Sequence, residues 1–251
     1  GADWDFYWDQ LLYPSQFLDP ETQPIPDARF VPAFWSKKGY SAYGKGTYRQ
    51  VFRSETPFPE ILGIRFMSVY SAYRVWINGE LAYEHGVIGT SRSDERGNAA
   101  RTSFYFAPRG AESLEIIVQV TNYEYKTHGG LGRPPVIGSW ETMHQVTFIE
   151  RMWDLLLVGS LGFMGLYLLV LFVFRTKDKT PLYLGLFALF MVFRQLMVGG
   201  SKLVFTLFPS LTVYVWDLLQ AFGIYPLLPL FLLYIYSLFP QQKFKWFLRV
   251  F

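Results

Sequence analysis

The sequence predicts an all-β sandwich of the jelly-roll kind followed by transmembrane α-helices. Three observations carry this: charge crowds into the part before Trp153, short runs with period-two alternation recur there, and no side chain from Leu155 to Phe174 is charged. An alternation of two is the repeat of a strand with one buried face. The 20 uncharged residues, at ~1.5 Å per residue, span roughly 30 Å, the thickness of a bilayer's hydrocarbon core. A buried helix of a large soluble protein is the other reading of such a segment. Two further apolar runs follow it, and the membrane accounts for all three.

The overall composition averages two unlike halves. Of 251 residues, 51% are hydrophobic and 20% aromatic, which suits both aromatic-faced strands and the aromatic belts of a membrane. A net charge of +3, dispersed along the chain, forms no basic stripe, so nucleic acid is not an expected partner. The absence of cysteine excludes disulfides, thiolate metal sites and cysteine nucleophiles. A domain of about 150 residues can bury a core without such staples. The chain opens on Gly1-Ala2-Asp3-Trp4 with no basic or apolar leader. An exported front half would need a signal peptide, and the expectation is that one has been removed.

Strands are predicted at Thr47 to Arg53, Ile61 to Ser68, Tyr73 to Asn78, Thr102 to Phe106 and Leu114 to Val120. In the last run Leu114, Ile116, Val118 and Val120 share one face, while Glu115 and Gln119 point the other way, the pattern of a half-buried antiparallel strand. Asn78-Gly79 tolerates the positive φ of a type I′ turn, so the run ending at Ile77 should return as a hairpin through Leu81 to Glu84. Many short strands with Gly/Pro-rich joints argue for the sandwich. Prolines between Phe17 and Pro32 predict an irregular surface connection, and Ser91 to Arg101 a mobile loop on which Asp94 and Glu95 read as solvated charge.

The expected domains are a β-sandwich over 1–139, a helical linker over 140–152, and three membrane helices over 153–251. Ser139 suits a helix cap and Glu141 the first turn; Met143, Val146, Ile149 and Trp153 recur at helical spacing, with no breaker before Leu155. One continuous helix is predicted to join sandwich to membrane. Further spans run from Pro181 to Gly200 and from Val213 to Phe239, the latter bent at Pro226 and Pro229. Gly159, Gly162 and Gly165 give span one a shallow strip for a neighbouring helix. Arg175, Lys177, Lys179, Lys243, Lys245 and Arg249 flank the spans on one side and Lys202 lies opposite, which puts the six in the cytoplasm and the β-domain outside. Arg194 and Asp217 fall at similar depths and are expected to pair across spans two and three; independent snorkelling to the interface is the alternative.

His85, His128 and His144 show no zinc-ligand spacing, and neither a phosphate loop nor a Gly-x-Ser-x-Gly elbow is present. No catalytic residue, metal or cofactor is therefore expected in this stretch.

Trp4-Asp5-Phe6-Tyr7-Trp8, Pro32 with Trp35, Gly44-Lys45-Gly46-Thr47-Tyr48-Arg49, Tyr70 to Gly79 and Gly86-Val87-Ile88-Gly89-Thr90-Ser91 follow one another in that order. In this the front half resembles the galactose-binding-like β-sandwich that precedes the membrane region of some bacterial seven-transmembrane receptors with diverse intracellular signalling modules. Pro181 to Phe187 and Phe193-Arg194-Gln195-Leu196 look like the second span of the same receptors. The resemblance implies a periplasmic sensor on the bacterial inner membrane, a small-molecule ligand of which carbohydrate is one class, and a cytoplasmic signalling module in the same full-length chain. Those receptors have seven spans and then the output module, whereas this sequence stops at Phe251, so that module is expected beyond it. Such outputs commonly work in pairs, which makes a homodimer an expectation of the resemblance; no residue marks its interface.

Sugar recognition calls for an aromatic face and planar polar groups. Tyr70, Tyr73, Arg74 and Trp76 on one hairpin, with Asn122, His128 and Arg133, supply these types. Alternation sets Tyr73 opposite Arg74 and Trp76, so part of the set is packing. The stretch Asn122 to Arg133 matches the family's Asn- and Gly-Gly-containing loop, for which bracing the domain is the other role. Two further function classes fit less well. An anchored adhesion module needs one span only, and a transporter would line spans one and three with polar residues.

Overall fold

The computed structural model describes residues 3–97, 102–208 and 211–239. The chain divides into two compact units, Gly1–Val146 with Leu211–Tyr214, and Thr147–Ser210 with Val215–Phe251.

The first unit is an antiparallel β-sandwich. Its strands are β1 (Trp4–Trp8), β2 (Ala28–Phe30), β3 (Gly44–Arg53), β4 (Leu62–Phe66), β5 (Val69–Tyr70), β6 (Ala72–Ile77), β7 (Glu80–His85), β8 (Thr102–Phe106), β9 (Ser113–Asn122), β10 (Gly130–Leu131) and β11 (Val136–Ser139). One sheet has the order β2-β1-β3-β9-β6-β7, a second β11-β4-β8, and β5 pairs with β10. All five runs predicted as strands from alternation are strands. The β6–β7 hairpin turns through Asn78 and Gly79 at φ 47° and 86°, the left-handed pair that a type I′ turn needs.

Register follows the alternation. Tyr48 lies opposite Val118 and Val118 opposite Val75, a row of buried side chains that faces Ile64 and Phe66 across the core. Strand β9 is not half-buried as its pattern predicts: Ile117 and Gln119 on its other face are buried as well. The chain from Gln10 to Phe17 covers that face. Thr47 Oγ1 donates to Gln10 O at 2.7 Å, and Gln119 Nε2 donates to Leu12 O at 2.9 Å, so two outward polar side chains strap the segment down. Further corrections concern short elements. Within the proline-rich stretch Ala28–Phe30 forms an edge strand on β1, a position where neighbouring prolines are tolerated.

The helices are α1 (Trp140–Phe174), α2 (Thr180–Val198), α3 (Leu203–Leu207), α4 (Val213–Ile224) and α5 (Leu227–Leu238). Ser139 ends β11 and caps α1, its Oγ accepting from Thr142 N at 3.4 Å. The predicted linker is thus the opening of a single helix of 35 residues. Among the described residues three helical stretches are long and apolar enough to cross a membrane: Trp140–Phe174, Thr180–Val198 and Tyr214–Leu238. The third breaks between α4 and α5 at Tyr225 and Pro226, where the prolines predict a bend. Gly165 and Gly185 let α1 and α2 approach closely; a Cβ on Gly185 would lie 3.1 Å from Gly165 O. Of the predicted strip, Gly165 alone is in tight contact, for a Cβ on Gly159 would meet nothing within 4 Å.

Candidate functional site

One candidate site lies in the sandwich, where β5 meets β10. Pairing of Tyr70 with Gly130 brings Tyr70 against the turn that follows β9. Four half-buried rings gather there: Phe34 and His128 at 4.3 Å between centroids, Tyr70 and Tyr125 at 4.6 Å, and Tyr70 at 5.8 Å from Phe34 and 5.9 Å from His128. The neighbouring glycines are sterically required. Gly130 has φ 83°, and a Cβ there would sit 2.3 Å from Trp35 Nε1. Trp35 Nε1 in turn donates to Tyr48 OH at 2.8 Å, and burial pushes the Tyr48 phenol well above its ordinary range, so it stays neutral.

Asn122 organises the turn. Its Nδ2 donates to Ala42 O (2.6 Å), Tyr125 O (2.8 Å) and His128 O (3.0 Å), while Oδ1 accepts from Tyr125 N at 3.0 Å. The side chain is fully buried. Its amide is therefore occupied in positioning the rings.

The other nominated residues divide. Tyr70 and His128 belong to the ring cluster. Arg133 is exposed, immediately after Gly132, whose Cβ position would fall 2.2 Å from the Phe34 ring. Arg74 and Trp76 lie on the outer face of the six-stranded sheet instead: Arg74 pairs with Glu84 across the hairpin, and Trp76 packs at 5.8 Å from the Tyr13 ring. They do not join the cluster, because β6 alternation turns them away from the side on which Tyr73 lies.

Glu95 also departs from expectation. It is 1% exposed, with Thr121 Oγ1 donating to its Oε1 at 2.7 Å and Tyr123 N donating to Oε2. Burial pushes its carboxyl above the ordinary glutamate value, against the opposing pull of the hydrogen bonds from Thr121 and Tyr123. The loop is thus anchored at this residue, whereas Asp94 is solvated as predicted. Residues 98–101 lie outside the described residues.

The second unit holds a polar centre that sequence reasoning missed. Asp154, 4% exposed, accepts from Gln195 Nε2 at 2.9 Å, Gly200 N at 3.2 Å, Ser201 N at 2.7 Å, and from Ser201 Oγ. The signal was an acid one residue before an apolar run, with Gly199-Gly200-Ser201 at the end of the next. Arg194 and Asp217 lie on helices that touch: Trp216 Nε1 donates to Met197 O at 3.1 Å, and Phe193 meets Phe222 at 6.0 Å. Lys243, Lys245 and Arg249 lie outside the described residues. Among the described residues no group of three His, Cys, Asp or Glu is placed to hold a metal ion.

A β-sandwich continued by three apolar helical stretches defines a membrane protein with a large folded domain ahead of its spans. Residues 150–251 match the model of the family described as 7TM diverse intracellular signalling. That match suggests a membrane receptor with a signalling role. No curated protein matches the chain. Among solved structures, a β-glycosidase from Bacteroides vulgatus is 19% identical with a TM-score of 0.40, over 55% of this chain and 19% of that one. The β-glucuronidase 3 of Bacteroides uniformis is 15% identical with a TM-score of 0.40, over 55% and 22%. A GH2 β-galacturonidase from Eisenbergiella tayi is 16% identical with a TM-score of 0.37, over 54% and 22%. The chain spans about a fifth of each of these. This likeness says nothing of what the chain binds.

Proposed function

We propose that the chain is the sensing and first membrane part of a bacterial inner-membrane receptor. The sandwich, on the periplasmic side, detects a small molecule at the Phe34, Tyr70, Tyr125 and His128 cluster, and the membrane helices relay the change to a cytoplasmic output module. The part described here senses and transmits; any enzymatic step belongs to the output module.

The observation that carries this reading is α1. It begins directly after β11 and runs unbroken from Trp140 to Phe174, so the strand leading out of the domain continues as the first span. A helix transmits displacement along its axis because each turn is tied to the next by hydrogen bonds. Orientation is supported by Arg175, Lys177 and Lys179 after α1, joined in the sequence by Lys243, Lys245 and Arg249, against Arg151 and Lys202 towards the other end. Arg194 and Asp217 are read as an ion pair between α2 and α4.

The test is Gln145→Pro in the full-length receptor, with Gln145→Ala as control. Proline removes one hydrogen bond and kinks the helix, at a cost of about 3 kcal/mol locally. Ligand affinity should persist while the output response is lost. An unchanged response would remove α1 as the relay.

A further inference from the structure

We infer that the ring cluster takes an anionic ring, a six-membered ring bearing a carboxylate, in preference to a neutral sugar. The inference rests on the reading of that cluster as the sensing site. Four half-buried rings, joined in a chain of contacts at 4.3–6.1 Å between centroids, offer faces and edges for a ring to stack on.

The polar groups beside the rings decide the rest. A neutral sugar needs planar amides or carboxylates to bridge its hydroxyls, but the amide of Asn122 is already occupied by the turn. The acid of the same turn, Glu124, lies towards Gly97, its Oε2 3.0 Å from the Cβ position there. Besides the Tyr70 and Tyr125 hydroxyls and the His128 ring, the charged groups left beside the cluster are cationic. Lys37 Nζ stands 5.9 Å from the Phe34 centroid, Lys126 is exposed between Tyr125 and His128, and Arg133 is exposed beside the glycine that abuts Phe34. Ammonium and guanidinium donors on the rim of an aromatic surface select a carboxylate.

The experiment is calorimetric titration of the full chain in lipid nanodiscs with D-glucuronate, benzoate and D-glucose. At least one acid should bind about tenfold tighter than glucose and weaken as salt is raised. Lys37→Ala, Lys126→Ala and Arg133→Ala, all at exposed positions, should each weaken the acid by about two- to fivefold and leave glucose unchanged. Tyr70→Ala should lower all binding, and Tyr70→Phe, which keeps the ring, should restore it. Preference for glucuronate over benzoate identifies a sugar acid, and the reverse an aromatic acid; both support the inference. Glucose binding as tightly as either acid, without salt dependence, overturns the inference and leaves the cluster as the sensing site. Acid binding that Tyr70→Ala leaves untouched overturns both. Binding of none of the three overturns the inference alone.

Discussion

The carboxylate of Asp154 accepts both the backbone amide and the hydroxyl of Ser201, joining α1 to the turn that follows α2. Gln195 and the Gly200 amide complete the set. A carboxylate surrounded by donors is tolerated out of water because its charge is met by hydrogen bonds.

Replacing Asp154 by Ala would strand those donors in a buried site, and a loss of about 3 kcal/mol in the membrane unit is expected. Gly199→Ala should also destabilise, by about 1–2 kcal/mol, because its Cβ would lie 2.8 Å from Asp154 Oδ1. Thermal unfolding in detergent measures both losses. Hydrogen exchange at the Gly200 and Ser201 amides separates them from a general effect, since these two should lose protection first in Asp154→Ala. Unaltered exchange there would show that the contact does not hold the turn.

Arg194 and Asp217 call for a double-mutant cycle. If they pair, the losses in Arg194→Leu and Asp217→Leu overlap, and the double variant is less damaged than the sum by more than about 0.5 kcal/mol. Additive losses in detergent unfolding would mean that each charge finds its own route to the interface.

Glu95 makes the stability of the sandwich depend on pH. Because its carboxyl is raised in the folded state, the folded domain holds this proton more tightly than the unfolded chain. The resulting contribution is fully present below the ordinary glutamate value and is lost as pH rises through the raised folded value. Denaturation midpoints of the full chain measured across that window should fall with rising pH, and Glu95→Gln should flatten the fall. An identical slope in the variant would assign the dependence to another group.

Long-range order was legible wherever a repeat was sustained. The inward row of β9, the Asn78-Gly79 turn and the uncharged run from Leu155 each carry a local signal over enough residues to define an element. Elements of two to four residues, such as β5, β10 and β11, are too short to show a repeat and exist only because a partner strand satisfies their backbone.

The site was half legible. Tyr70 and His128 could be named as types of residue that contact ligand, but their meeting depends on β5 pairing with β10 and on a buried amide at Asn122. Arg74 looked equivalent to Tyr70 in the sequence and faces elsewhere. By itself the sequence determined the division into strands and spans, because solvent preference is a property of each residue and its near neighbours. Only the tertiary structure decided which polar groups are occupied by the fold, as at Asn122, Glu95 and Asp154, because a hydrogen-bond partner distant in sequence leaves no periodic trace in either segment.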